Sequence, residues 1–251
     1  MLKRSSRYDL FIIDNDMTIK TTPFTTAVIV AAGSATRMGL DTPKQLLVLD
    51  GKTVIEHTLS AFERCSLIDE IIVVTREQDI EAIRRVCAPF KKLGAIVPGG
   101  LERYDSVRNG IAAADERSEV FAIHDGARML ITEKEIISVL QTAYLTGAAT
   151  LGTPVTDTIK IVDGTTIVST PDRSALYAVQ TPQVFEKELY LRALKNAEEK
   201  RMSVTDDCSM VEALGEKVEI VLGEYTNIKL TTKTDLLFVE AILHNREKEQ
   251  S

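Results

Sequence analysis

The chain has 251 residues, long enough for one sizeable α/β domain, and 44% hydrophobic with 27% charged residues is ordinary for a globular protein. Thirty Lys and Arg against 37 Asp and Glu leave a formal charge of −7, which argues against a general nucleic-acid or anionic-membrane surface, so anionic substrates must be met by local cations. No apolar run approaches the roughly 20 residues that span a bilayer, and Cys65, Cys87 and Cys208 lack metal or disulfide spacing, which fits a reducing cytoplasm.

Residues 1–24 form an N-terminal extension in which Lys3, Arg4 and Arg7 precede a short apolar patch, Leu10 to Ile13, interrupted by Asp14 and Asp16. The patch is too short and too acidic at its end for a standard signal peptide; it reads equally as an extra strand, a floppy arm or a cloning remnant. The organising stretch follows, from Thr26 to Gln45. Ala27 to Val30 is a continuous β-branched run, the pattern of a strand buried on both faces of a parallel sheet. Ala31, Ala32 and Gly33 let the chain turn sharply and leave room for a nucleotide against bare amides. Arg37 and Lys44 follow in a segment that Gly39 and Pro43 keep from being one regular helix, so a loop carrying fixed cations over a phosphate chain is the simplest account. For any one of these residues an ordinary strand-to-loop connection with solvated charges explains as much; the joint pattern favours the phosphate loop. Neither G-x-G-x-x-G nor G-x-x-x-x-G-K followed by Ser or Thr is present, so this is no dinucleotide fingerprint and no P-loop.

Val54, Ile55, Leu59 and Phe62 recur at helical spacing and predict a helix from Thr53 to Cys65. Ile71 to Val74 is the next buried strand, and Thr75 with Gln78 suggests a capping box for a helix carrying Ile80, Ile83 and Val86 on one face. Ala95 to Val97 makes a third strand, ending at Pro98-Gly99-Gly100. A short helix over 102–114 carries Glu102, Arg103, Asp105 and Ser106 in its first turn, an edge suited to reading a base or binding an anion, although capping explains Ser106 and Asp105 nearly as well. Val120 to Ile123 runs into His124-Asp125-Gly126-Ala127-Arg128. A carboxylate at the end of a central strand, beside a glycine, can hold a hydrated divalent cation or ribose hydroxyls; the alternative is a turn-initiating Asp. His124 reads as a packed, hydrogen-bonded histidine without a chemical role. Thr132 and Glu135 cap a helix through Tyr144 that Gly147 ends.

From Ala148 the periodicity changes. Thr158 to Val162 and Thr166 to Ser169 flank Asp163-Gly164, a β-hairpin by its turn dipeptide and β-branched arms. A two-stranded arm inserted in a βα pattern is marginal unless covered, and a partner subunit is the natural cover. Glu186 to Lys200 and Asp206 to Leu214 read as helices, Gly215 as a stop, Val218 to Leu222 and Asn227 to Leu230 as strands. A closing helix, Asp235 to His244, packs through Leu236, Phe238, Val239, Ile242 and Leu243. Lys229 lies in an otherwise apolar strand, where its ammonium is costly to bury without an anion.

The ordered set Ala31-Ala32-Gly33, Arg37-Met38, Pro43-Lys44-Gln45, Gly99-Gly100, Glu102, Arg103, Asp105, Ser106, His124-Asp125, Ala127-Arg128, Asp157-Thr158, Asp172-Arg173, Gln180-Thr181-Pro182-Gln183, Thr205-Asp206-Asp207 and Asn227-Ile228-Lys229 covers roughly residues 25 to 245. It resembles the sugar-phosphate nucleotidyltransferases, most closely the 2-C-methyl-D-erythritol 4-phosphate cytidylyltransferases of the non-mevalonate isoprenoid pathway. The resemblance implies an α/β fold with a Rossmann-like twisted, mostly parallel sheet flanked by helices, spanning 25–251, with a protruding β-hairpin dimerisation arm at about 154–176. It implies a homodimer, no nucleic acid or membrane partner, Mg²⁺ or another divalent cation at Asp125, and two substrates, CTP and a sugar-alcohol phosphate. Arg37 and Lys44 would hold the triphosphate against Ala31, Ala32 and Gly33, and Gly100 and Ser106 would meet the cytosine. Asp125 would serve the metal or the ribose, and Arg128 would support Asp125 or the ribose region, a structural ion pair explaining Arg128 as well. Arg173 and Lys229 would grip the sugar phosphate with Asp157 and Thr158 nearby, Thr158 and Arg173 reaching across to the partner's pocket.

Ala35, Leu101, Gly126 and Met129 depart from the usual pattern. Ribitol 5-phosphate cytidylyltransferases share nearly every motif, but the Ala-Ala-Gly opening favours the methylerythritol enzyme. A non-catalytic nucleotide-binding domain would keep the glycine loops without needing Arg173 and Lys229 together.

Overall fold

The computed structural model describes residues 22–33 and 43–250; Arg37, Ala35 and the patch Leu10 to Ile13 lie outside the described residues. In chain order the strands and helices are β1 (Thr25–Val30), β2 (Val48–Leu49), β3 (Lys52–Thr53), α1 (Val54–Arg64), β4 (Glu70–Thr75), α2 (Ile80–Cys87), β5 (Leu93–Pro98), α3 (Arg103–Ala112) and β6 (Val120–Asp125). There follow α4 (Glu133–Thr146), β7 (Ala148–Pro154), β8 (Ile161–Asp163), β9 (Thr166–Ser169), β10 (Tyr177–Glu186), α5 (Lys187–Lys200), α6 (Asp207–Glu212), β11 (Glu219–Leu222) and α7 (Lys233–Gln250).

Seven strands form one sheet in the order β11-β7-β10-β6-β1-β4-β5. All neighbours run parallel except β10, which is antiparallel to both β6 and β7. The expected mostly parallel α/β sheet is therefore present. Alternation along each strand divides its side chains between two faces. Ala27, Ile29, Ala122 and Val184 meet one apolar cluster with Leu59 and Phe62 of α1, Ile83 of α2 and Val139 of α4. Phe121, Ile123 and Phe185 meet another with Val107 of α3, Tyr190 of α5 and Met210 of α6. Strands covered on both faces are what near-continuous apolar runs encode.

Local signals explain where several helices begin and end. Thr53 and Thr132 cap α1 and α4 in reciprocal boxes with Glu56 and Glu135, and Gly147 stops α4 at φ 84°. Thr75 does not open a helix with Gln78: it is buried in β4, residues 77–79 form a 3₁₀ turn, and α2 starts at Ile80. The Arg76 side chain donates to Asp79 in that turn, and the strand's burial outcompetes the capping pattern. The hairpin of β8 and β9 forms with Asp163 paired to Thr166, so Gly164 (φ 56°) and Thr165 make the turn one residue later than Asp163-Gly164.

Two further expectations fail for stated reasons. Asn227 to Leu230 is no strand: buried Asn227 spends its side-chain amide on Gln180 Oε1 (3.1 Å) and Thr181 O (3.0 Å), while Leu230 N donates to Ala127 O (2.9 Å). In α7, Val239 is buried with Leu236, Ile242 and Leu243 beside it, but Phe238 turns outward, because a longer helix from Lys233 carries Leu237 and Phe238 on its exposed side. The sequence pattern also does not mark β7 or β10. Pro182 and two glutamines argue against a central strand, yet β10 accommodates them at a register shift between Val179 and Gln183.

Candidate active site

The chain leaves β1, builds outward through β4 and β5, and returns to β6 on the other side of β1. That reversal makes the β1–β6 boundary a switch point, the place beyond the carboxyl ends of the strands where open α/β sheets bind their ligands. Val30 and Asp125 are register partners there, and Gly126 N donates to Val30 O at 2.9 Å. Ala31 is buried with its amide on Val74 O, Ala32 is half-buried and Gly33 is exposed. The expected turn of small residues thus lies beside Asp125.

Next to it, the end of β5 approaches the start of α3. A Cβ on Gly99 would lie 2.5 Å from Ala32 Cβ and 2.8 Å from Ser106 Oγ, and one on Gly100 would overlap Asp105 Cβ. Both positions therefore exclude a side chain. Gly100 N donates to Ser106 Oγ (3.1 Å), whose hydroxyl donates to Glu102 O (3.2 Å), so the two residues expected at the base form one edge.

Asp125 is 7% exposed and surrounded by cations: Lys229 Nζ at 2.7 Å from Oδ2, Arg103 Nε at 3.4 Å from Oδ1 and Arg128 Nε at 3.7 Å from Oδ2. Burial alone would push its carboxyl up; Arg103, Lys229 and Arg128 together outweigh that and hold it well below the usual carboxylate range. Lys229 thus meets the carboxylate of Asp125 from an irregular segment, which replaces the apolar strand expected around it. Arg128 Nη1 donates to Asn227 O (2.7 Å), tying that segment to the end of β6, and burial pushes its guanidinium down. Lys44 is buried, with Nζ donating to Leu230 O at 3.2 Å, one residue from Lys229. Two of the four cations expected to act are therefore brought together.

His124 is neutral, as expected of a packed histidine: desolvation lowers it to about 3. Its Nε2–H faces Arg128 O (3.2 Å) and its Nδ1 accepts from the Thr181 hydroxyl (3.0 Å), which in turn accepts from Asp125 N (3.0 Å). Gln45 Oε1, Arg128 Nε and Asn227 Oδ1 are buried without a hydrogen-bond partner among the described residues, unspent polar capacity of the kind a ligand site retains.

Arg173, Asp157 and Thr158 are exposed on the arm, and among the described residues none makes a hydrogen bond or ion pair with the Asp125 cluster; Arg173 Nη1 donates to Thr156 O (2.8 Å). In the sequence Thr181, Gln183, Asp207 and Asn227 have no individual role, and Arg103 is placed only within the first-turn edge of α3 suited to a base or an anion. The polar run Gln180-Thr181-Pro182-Gln183, buried throughout in β10, was the available signal for the residues of that strand.

A sequence model of the 2-C-methyl-D-erythritol 4-phosphate cytidylyltransferase family matches residues 25–245. The chain belongs to this family. The enzyme of that name from Caldanaerobacter subterraneus is 46% identical over 225 residues, covering 86% of this chain and 97% of its own, and that from Halalkalibacterium halodurans is 45% identical, covering 88% and 97%. The crystal structure of 4-diphosphocytidyl-2C-methyl-D-erythritol synthase from Anaerococcus prevotii superposes with a TM-score of 0.81 at 33% identity, over 89% of this chain and 97% of that one. The Thermus thermophilus cytidylyltransferase gives 0.71 at 32% identity, over 88% and 98%.

Proposed function

We propose that this chain transfers the cytidylyl group of CTP to 2-C-methyl-D-erythritol 4-phosphate and releases pyrophosphate, a step of isoprenoid precursor synthesis. The observation that carries the reading is an ionised Asp125 at the switch point, ringed by Lys229, Arg103 and Arg128 and adjoining Lys44, within a chain of this family. A sugar-phosphate oxygen forms a bond to the α-phosphorus while the bond from that phosphorus to the bridging oxygen breaks, and pyrophosphate leaves with the electron pair. Positioning and electrostatic stabilisation supply nearly all the catalysis, so no nucleophilic side chain is needed.

In this reading Arg37 and Lys44 hold the triphosphate along Ala31, Ala32 and Gly33, with the base against Gly100 and Ser106. Lys229 exchanges its contact with Asp125 for the phosphate of the second substrate. Among the described residues no cluster of three His, Cys, Asp or Glu could cage a metal. One ionised carboxylate, Asp125, would hold a Mg²⁺ at this site. Its chemistry when bound is to neutralise charge on the phosphate oxygens.

The arm supports a homodimer. Both strands of the β8–β9 hairpin are exposed along their length, with Ile161, Val162, Ile167 and Val168 each more than half exposed, and such an arm needs cover. In the dimer, Arg173, Asp157 and Thr158 complete the partner's sugar-phosphate site. Among the described residues no helix is long and apolar enough to cross a membrane, and a cytoplasmic location is part of the same reading. The test is pyrophosphate release from CTP and Mg²⁺ with methylerythritol 4-phosphate or ribitol 5-phosphate: turnover with the first is expected, faster turnover with the second would reassign the substrate, and none with either would refute the enzyme.

A further inference from the structure

Resting on the cytidylyltransferase reading, we propose that Arg103 is a positioning residue that sets Asp125 in register with the base-reading end of α3, using buried Asp207 as its anchor. Arg103 Nη1 donates to Asp207 Oδ2 at 2.5 Å, and its Nε faces Asp125 Oδ1 at 3.4 Å. One guanidinium therefore spans two carboxylates that come from β6 and α6. Asp207 is 1% exposed and held from three sides: the Tyr190 hydroxyl donates to Oδ1 (2.6 Å), its backbone N–H donates to Gln183 Oε1 (2.9 Å), and Arg103 takes Oδ2. Both carboxylate oxygens are thus occupied, and the anchor has no freedom to follow Asp125.

Arg103 is also the first residue of α3, three residues before Ser106, whose hydroxyl receives the Gly100 amide. Where the guanidinium lies consequently decides how Asp125, at the phosphate and ribose end, stands relative to Gly100 and Ser106, at the base end. A guanidinium has the planar, forked donors for this bridge; an ammonium is a single point charge and cannot meet both carboxylates with fixed geometry. The same burial that makes Asp207 a good anchor keeps it from touching substrate, so any catalytic effect of Asp207 must pass through Arg103.

Arg103→Lys retains a positive charge for Asp207 and tests the bridge without stripping a buried carboxylate of its partner. The expected result is a kcat lowered about tenfold or more, as misplacement of a reacting group by a fraction of an ångström produces, with KM for the sugar phosphate within about twofold and the melting temperature near that of the parent. Asp207→Asn should lower kcat in the same way, and the double variant should lose no more than the worse single variant, because the two act through one contact. An Arg103→Lys enzyme with kcat within about twofold of the parent overturns the proposal, as does a double variant whose losses multiply. Should Asp207→Asn fail to fold, the Arg103→Lys kcat and KM decide. Absence of pyrophosphate release by the parent protein would instead remove the cytidylyltransferase reading itself.

Discussion

Replacing Gly110 by alanine sets two well-measured effects against each other. In an isolated helix the change favours folding by about 1 kcal/mol, because glycine loses more backbone freedom than alanine. Here Gly110 is buried on the face of α3 that presses on the sheet, and a Cβ would lie 2.5 Å from Val28 Cγ1 and 2.8 Å from Val74 Cγ2. Those methyls belong to fully buried, β-branched residues of β1 and β4, whose χ1 angles have little freedom to yield. The helix must therefore move, and overpacking of this kind costs about 1–3 kcal/mol, with contacts this short toward the upper end. The net expectation is destabilisation by about 1–2 kcal/mol, or a Tm lower by about 2–8 °C for a chain of this size. Urea unfolding followed by circular dichroism should show a lower midpoint at an unchanged slope. Because α3 carries Arg103 and Ser106 in its first turns, turnover should fall as well. A midpoint that rises would mean helix propensity prevails and that α3 does not approach the sheet as closely as described.

Lys44→Ala should lower kcat by about 10²-fold or more with circular dichroism unchanged, and a near-normal kcat would remove Lys44 from the chemistry. Arg173→Ala should instead raise KM for the sugar phosphate while CTP binding, measured by calorimetry, stays unchanged. Thr132→Ala removes the acceptor for Glu135 N and the capping box of α4, an expected loss of about 1 kcal/mol in urea titrations, with kcat retained. His124 is buried neutral at about 3 in the folded protein and titrates near 6.5 when unfolded. Its contribution is therefore full above pH ~6.5 and declines as pH falls toward 3, amounting to about 2 kcal/mol lost by pH 5. An imidazole signal titrating near pH 6.5 in the folded protein, followed by NMR, would contradict this.

Much of the architecture can be read along the chain because it rests on local periodicity. The buried runs of β1, β4 and β6 are apolar on both faces, and Thr53–Glu56 and Thr132–Glu135 are capping boxes whose partners lie three residues apart. Thr75 shows the limit of that reading: the same spacing with Gln78 is present, but burial in a strand decides its conformation. β10 was hidden because its polar residues look unsuited to a sheet interior until their partners are known. Gln183 is acceptable in the core because it bridges Asp206 and the Asp207 amide, contacts more than 20 residues away.

The candidate site divides the same way. Ordered motifs along the chain marked Ala31 to Gly33, Gly100, Ser106, Asp125, Arg128 and Lys229 as one chemical set, and residue type alone required cations for an anionic substrate. Which charges actually meet was decided by topology: the reversal of strand order places Asp125 beside Ala31, and Asn227 stitches the segment carrying Lys229 onto β10 and β6. Arg103 acquires its two carboxylate partners only when α3, β6 and α6 are brought together at the carboxyl end of the central strands. Periodicity and capping act over a few residues and are written in their order, whereas a charge at 2.7 Å from a residue more than a hundred positions away exists only once the chain has folded.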